Sequence, residues 1–309
     1  MKAPDNITKS FALLMVISCL VISNAFAQQD PLTAQYLNNY FIINPAYAGM
    51  TKDLNLSAGY RTQWAGFAGS PVTLNANGHI SLAANKMGVG LNIVQDKIGS
   101  NKTTEINAAY AYHIPMKDGV DMSFGLQAGM INYRSDYSDL QIDKSDPKFN
   151  NVSEYQANFG AGLLVRSEKY LVSVAVPHML KANGDPQTLA ANLYAQNLYV
   201  YAGYLAQASY RIKIKPSILL RSSKGSPLSA DYYLGMRVDD SYTIGVYTRN
   251  FNTIGFQAQI NVGDALRFSY TFELPTNNSV GLNFTSHEFM VSFRMAALSF
   301  HNITDVKNF

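Results

Sequence analysis

Val120-Asp121-Met122-Ser123-Phe124-Gly125-Leu126-Gln127-Ala128-Gly129-Met130 alternates apolar residues with small or polar ones. Val120, Met122, Phe124, Leu126, Ala128 and Met130 fall on one side, and Asp121, Ser123, Gly125 and Gln127 on the other. Successive side chains of a strand point to opposite faces, so this stretch reads as a strand with one apolar and one polar face. Leu54, Leu56, Ala58 and Tyr60 interleave in the same way with Asn55, Ser57, Gly59 and Arg61. Leu266, Phe268, Tyr270 and Phe272 do so with Arg267, Ser269, Thr271 and Glu273. A soluble β-sandwich can carry such a pattern. Segments of about ten residues in an exported chain suit a membrane β-barrel better.

Export is read from the front of the chain. Residues 1–27 form a secretory signal peptide, with Lys2 and Lys9 at its positive start and an apolar stretch over 11–22. Ala25-Phe26-Ala27 supplies an A-x-A cleavage site. The apolar stretch is too short for a comfortable transmembrane helix, and no later stretch reaches spanning length. Val16-Ile17-Ser18-Cys19 loosely resembles a lipoprotein signal that would lipidate Cys19, but apolar residues continue past it and a better cleavage site follows. Cys19 is the only cysteine, so cleavage after Ala27 leaves no disulfide and no thiol nucleophile.

A net charge of +3 gives no support for a nucleic-acid partner. Charged residues make up 15% of the chain, against roughly a quarter in soluble domains. Twenty Tyr and sixteen Phe fit the aromatic girdles of a barrel, although a sandwich core would use them too.

The expected organisation is the signal peptide over 1–27, an N-terminal periplasmic segment over 28–52 and a single barrel over 53–309. The fold expected is all-β: an outer-membrane antiparallel β-barrel of about fourteen strands, an even number as bacterial barrels require. The strands are placed at 54–62, 71–81, 86–95, 103–113, 119–133, 156–167, 170–176, 197–211, 212–221, 228–238, 242–249, 253–262, 265–274 and 286–295. Lys117-Asp118-Gly119, Ser167-Glu168-Lys169 and Asp239-Asp240-Ser241 carry tight-turn chemistry, while 134–155 and 177–196 are long connections. Glycines inside the strands, among them Gly88, Gly90, Gly125, Gly162, Gly203, Gly235, Gly245 and Gly255, permit bends and close approach. Arg61, Arg166, Arg211, Arg221, Arg237, Arg249, Arg267 and Arg294 fall on inward faces with Glu105, Asp231 and Glu273. Pairing with carboxylates that holds the wall together is the main reading of these arginines; a path for an anion or a peptide is the other.

Catalytic and metal chemistry find no foothold. There is no G-x-S-x-G elbow, no H-E-x-x-H motif and no phosphate-cradling Gly-rich loop before a helix. His79, His113, His178, His287 and His301 show no ligand spacing, so neither a metal nor a cofactor is implied. Ser286-His287-Glu288 contains triad residue types, yet neighbours on one strand point to opposite faces and cannot converge.

Three segments are more specific than the strand pattern. Asn44-Pro45-Ala46-Tyr47-Ala48-Gly49 reads as a compact loop that starts the barrel. Tyr60-Arg61-Thr62-Gln63-Trp64-Ala65-Gly66-Phe67-Ala68-Gly69-Ser70-Pro71-Val72-Thr73 turns the first strand into the second and holds the only tryptophan, an interfacial anchor or a partner contact. Ser286-His287-Glu288 opens the last strand. With Gln29-Asp30-Pro31, Gln35-Tyr36, Gly88-Val89-Gly90, Asp96-Lys97-Ile98-Gly99 and Lys215-Pro216-Ser217, these segments resemble the PorP/SprF family of type IX secretion and gliding-motility membrane proteins of Bacteroidetes-type bacteria. The resemblance implies an outer-membrane barrel that works with the secretion machine and its periplasmic ring lipoproteins. It also implies export or surface attachment of cargo, notably large adhesins with a type B C-terminal sorting domain. The partner-binding residues expected on that basis are Asn44, Pro45, Tyr47, Gly49, Arg61, Gln63, Trp64, Phe67, Pro71, Ser286, His287 and Glu288, with the Trp64 loop and the Asn44–Gly49 segment as an exposed docking patch. The rival reading is a passive channel, porin-like or for hydrophobic compounds.

Overall fold

The computed structural model describes residues 33–138, 151–180, 196–223, 226–276 and 284–301. The expected signal peptide, Cys19, Gln29-Asp30-Pro31 and most of the two long connections lie outside these residues. The strands are β1 (Leu54–Thr62), β2 (Val72–Leu82), β3 (Met87–Ile98), β4 (Asn101–Pro115), β5 (Asp121–Ser135), β6 (Val152–Arg166) and β7 (Tyr170–Val176). They continue with β8 (Asn197–Tyr204), β9 (Ala206–Gln207), β10 (Ile212–Ser223), β11 (Ser229–Val238), β12 (Tyr242–Arg249), β13 (Thr253–Val262), β14 (Leu266–Pro275) and β15 (Ser286–Met295).

Apart from β8 and β9, which do not pair with each other, every strand pairs antiparallel with its chain neighbours, and β1 pairs with both β2 and β15, which closes the ring. The two-residue β9 prolongs β8 past Leu205 along the same partner, β10, so fifteen segments make fourteen barrel strands. The expected strand at 197–211 is thus real but interrupted. Opposite the interruption stands Pro216, which has no N–H to give to a ladder, and neither Lys215 nor Pro216 pairs with β8 or β9.

The faces are those of a protein dissolved in lipid. Along β2 the inward residues Thr73, Asn75, Asn77, His79 and Ser81 are buried and polar, while Leu74 and Ala76 point outward and are exposed. Leu126 is 64% exposed and Leu163 50%. Exposed to water, such a belt would cost about 25 cal/mol for each Å²; in hydrocarbon it costs nothing. Closure matters for the same reason, because lipid offers no hydrogen bonds to an open sheet edge.

Connections after β1, β5, β7 and β14 are long (63–71, 136–151, 177–196 and 276–285), and all leave from one rim. The opposite rim carries only the short turns 83–86, 116–120, 167–169, 208–211, 239–241 and 263–265. Arg211 belongs to this rim: its side chain is exposed and ion-paired with Asp239, so it is not part of the inward row expected for it.

The hydrophobic core is not in the wall. It is formed by the N-terminal segment, where Tyr36, Leu37, Tyr40, Phe41, Ala46, Tyr47, Ala48 and Met50 pack against Tyr201, Leu219, Tyr233 and Tyr247 of the wall.

Candidate functional site

Residues 33–53 run as three single 3-10 turns, Gln35–Leu37, Tyr40–Ile42 and Pro45–Tyr47. Local chemistry dictates two of them. The Asn39 side chain accepts from the Phe41 amide at 3.1 Å and Asn44 from the Ala46 amide at 2.9 Å, while Pro45 takes the first helical position, where a missing N–H does no harm.

Hydrogen bonds from this segment reach β2, β5, β6, β7, β8, β10, β11, β13, β14 and β15. Near its start, the Ala34 amide donates to Glu288 at 2.9 Å and the Tyr36 hydroxyl to Asp231 at 3.1 Å. Further on, Asn39 donates to Asn77 at 2.7 Å and Gln257 to Asn38 at 2.5 Å; the Tyr40 and Tyr201 hydroxyls meet at 2.8 Å. Asn44 donates to the Leu163 and Val174 carbonyls at 3.0 and 3.3 Å. Ser123 donates to the Ala46 carbonyl at 2.6 Å, and Arg166 to that of Met50 at 2.9 Å. A segment bonded to strands on every side of a closed ring lies inside the ring. It is a plug.

The Asn44–Gly49 motif is the part of the plug that lies flattest on the wall. A Cβ on Gly88 would overlap the Ala48 carbonyl, one on Gly125 the Ala46 backbone, and one on Gly162 the Asn44 side chain. The strand glycines thus make a bare strip of wall, and Ala46 and Ala48 are small enough to rest on it. Gly49 turns the chain with φ +70°, and its amide donates to His79 Nδ1 at 3.2 Å. Asn44, Pro45, Tyr47 and Gly49 are all buried, which corrects the expectation that this motif offers exposed surface: its turns cap themselves and spend their remaining groups on the lumen wall.

The other two motifs meet each other where β1 closes on β15. Arg61 pairs with Glu288 at 3.3 Å and with Glu273 at 2.7 Å. The Trp64 amide donates to the Ser286 hydroxyl at 3.2 Å, and the Ala65 amide to the Thr285 carbonyl at 2.7 Å. The Gln63 amide is bonded to the Pro71 carbonyl at 2.9 Å, closing the base of the loop. Phe67 is half exposed and meets Phe284 edge-on at 5.6 Å. Ser286 and Glu288 face the lumen, whereas His287 faces outward and pairs with the Tyr270 hydroxyl at 2.8 Å. His287 therefore points away from both neighbours, as strand alternation requires, and the three cannot converge.

Inside the long-loop half, the arginines and carboxylates form one continuous chain around the wall. Arg221 pairs with Asp231 at 2.7 Å, Asp231 with Arg249 at 3.1 Å, and Arg249 with Glu273 at 3.5 Å; Arg61 then joins Glu273 to Glu288. Three arginines meet three carboxylates, so the chain is neutral. The plug is fastened to it at Asp231 through Tyr36 and at Glu288 through Ala34. This link went unseen in the sequence, although Arg221, Asp231, Arg249, Glu273 and Arg61 all stand on faces expected to point inward.

Where a serine and a histidine do touch, their bonding is not catalytic. The Ser123 hydroxyl gives its single proton to the Ala46 carbonyl, so at 2.9 Å His113 Nδ1 must donate to Ser123 and cannot act as its base. Among the described residues no group of three metal-ligating side chains converges.

Comparison with known proteins now has a geometry to rest on. A family model described as "Type IX secretion system membrane protein PorP/SprF" matches residues 25–293. The chain belongs to the PorP/SprF family. That membership makes it an outer-membrane barrel of the type IX secretion system and includes both rim motifs and the plug. Among curated proteins no match is found. Solved structures similar to this PorP/SprF barrel include Acinetobacter baumannii outer membrane protein Omp33, at 9% identity and TM-score 0.47, over 79% of this chain and 98% of that one. The CymD monoaromatic hydrocarbon channel is similar at 12% identity and TM-score 0.49, over 87% and 94%. Escherichia coli outer membrane phospholipase A is similar at 10% identity and TM-score 0.41, over 83% and 100%.

Proposed function

We propose that this PorP/SprF barrel is a permanently plugged, non-enzymatic accessory of type IX secretion that supports export or surface attachment of cargo, such as a large adhesin with a type B C-terminal sorting domain. The observation that carries this reading is the plug. A passive channel needs an open lumen, and here the chain's own N-terminal segment is bonded to strands on every side of it. Work on a partner then falls to the rims.

In outer-membrane barrels short turns are periplasmic and long loops extracellular. By that rule the Trp64 loop faces outward, toward cargo. The short-turn rim, where β1 begins and β15 ends, faces the periplasmic ring lipoproteins. Phe67 and Phe284, side by side on the outward rim, are the contact we assign to cargo.

Affinity isolation of the tagged protein from solubilised outer membranes, with the bound proteins identified by mass spectrometry, tests this function. Recovery of ring lipoproteins or of one large surface adhesin supports it. Replacing Phe67 and Trp64 by Ala should release the adhesin and leave a folded barrel. A partnerless protein that conducts ions across a planar bilayer would favour the channel reading instead.

A further inference from the structure

The lipid-facing wall is not evenly convex. A groove of about 930 Å³ crosses it from β7 to β13. Register lays out its course: Val172 stands opposite Ala202, Ala202 opposite Ile218, Ile218 opposite Tyr232, Tyr232 opposite Thr248 and Thr248 opposite Ile254. Paired strands lie about 4.8 Å apart, so this row across six strands is roughly 24 Å long. It begins near the short-turn rim, just past the start of β7, and ends beside Phe251 at the opposite rim.

The groove forms where the wall is interrupted. Pro216, which lines it, stands opposite the break between β8 and β9 and joins the ladder of neither. Ala202 and Ile218 in its floor are half-buried, whereas Tyr204, Leu234 and Val246 around them are exposed. Its polar atoms have little to offer a ligand: the Thr248 hydroxyl donates to the Thr253 carbonyl at 2.9 Å, and the Tyr232 ring stacks on Phe251 at 5.7 Å. An apolar recess stays dry, and left empty its lining would forfeit dispersion contacts. In the membrane the material at hand to fill it is hydrocarbon.

The two ends differ. Stacked rings close the end at Phe251. At the short-turn end Tyr170 and Tyr204 stand opposite each other and exposed, as interfacial tyrosines do. Beside them the Lys169 carbonyl accepts from the Leu205 amide at 2.7 Å, which holds the exposed Lys169 at the mouth of the groove. A cation and two phenols at the end of an apolar trough suit a phosphate with a hydrocarbon tail.

We propose that this groove binds one phospholipid, with an acyl chain along the row and its phosphate at Lys169, Tyr170 and Tyr204. The hydrocarbon core of a bilayer is about 30 Å thick, so a chain of one leaflet reaches about 15 Å and fits within the row. Lipid tails are as apolar as the groove, so burial alone gives no preference for it. Fit to the recess and the phosphate contacts select the site. It depends on the barrel's place in the membrane and not on any cargo.

The test titrates the full mature barrel, stripped of lipid in detergent, with phosphatidylethanolamine and weighs it intact by native mass spectrometry. One phospholipid should bind ahead of any others. Ala202→Phe fills the recess from the lipid side and should weaken that first binding about tenfold or more. Leu126→Phe, on the exposed face of β5, should leave it unchanged. Diacylglycerol, which has the chains without the phosphate, should bind the wild type more weakly, and Lys169→Gln should narrow that difference. In cells, a photoreactive residue in place of Val246 should capture phospholipid. Uptake with no distinct first phospholipid, undiminished binding by Ala202→Phe, equal binding of diacylglycerol, or capture of a lipoprotein's acyl anchor instead overturns the proposal.

Discussion

Gly49→Ala tests the seating of the plug. Gly49 has φ +70°, where an alanine pays about 1–2 kcal/mol in backbone strain. Its new methyl would lie 2.6 Å from Gly88 Cα, 2.9 Å from the Ile80 carbonyl oxygen and 3.0 Å from Ser81 Cα. All three are backbone atoms of hydrogen-bonded strands and cannot rotate away. Overpacking of this kind adds about 1–3 kcal/mol, for a total near 2–5 kcal/mol, or about thirtyfold to several thousandfold in the seated-to-unseated ratio. Gly66→Ala is the control: φ is +93°, but a Cβ there meets nothing within 4 Å. Chymotrypsin under native conditions reads the difference, because Tyr36, Tyr40, Phe41 and Tyr47 are buried while the plug is seated, and cleavage follows the open population when opening is fast. Gly49→Ala should raise cleavage within residues 36–47 at least thirtyfold, and Gly66→Ala should leave it unchanged. A folded Gly49→Ala barrel cleaved at the wild-type rate would refute the close packing of the motif on the wall.

Further outcomes follow from the ion chain and the rim. Arg249→Met leaves Asp231 and Glu273 each short of one partner in a buried network, at a cost of about 3–5 kcal/mol, to be read as a lower urea midpoint by tryptophan fluorescence. Tyr36→Phe removes one hydrogen bond to a carboxylate, about 1.5–3 kcal/mol, and should speed plug cleavage without moving that midpoint. At the short-turn rim Asp239 is exposed, and hydrogen bonding from Arg211 holds its carboxyl below the usual carboxylate range. The stability it contributes is therefore present above the ordinary aspartate pKa and lost as pH falls through the lowered value. Solvent screens so exposed a pair, so Arg211→Ala should leave the melting temperature at pH 7 unchanged.

The barrel was legible because lipid outside and polar groups inside impose a period of two on every strand; β1, β7, β12, β13 and β15 begin and end where alternation places them. The break between β8 and β9 was signalled only by Pro216 on the neighbouring strand, a residue whose cost falls on its partner rather than on itself. The plug was not legible. Its three 3-10 turns have no period long enough to register, and its partners are inward residues of ten strands scattered between Asn77 and Glu288. A trace of it did exist in Gly88, Gly125 and Gly162. Side-chain-free positions on an inward face mean that another backbone lies there, and the small residues of Asn44–Gly49 are what fits.

The same glycines bear on whether the plug is a stopper that leaves or a part of the wall that stays. A stopper that slides out needs a smooth, wet interface. Here Asn44 caps its own turn and also bonds two wall carbonyls, Gly49 interlocks with Gly88, and Tyr40 and Tyr47 are buried with Tyr201 in one apolar cluster. Withdrawing the segment would expose that cluster and leave the Arg61, Arg249 and Arg221 chain facing an empty lumen. Each such group costs on the order of 1–3 kcal/mol to uncover, and they let go together because they share one backbone. Arrangements of this sort favour a single seated state. A barrel closed from within in this way has only its rims and its lipid-facing wall left for partners, which is why the cargo contact proposed above is sought on a rim, beside Trp64.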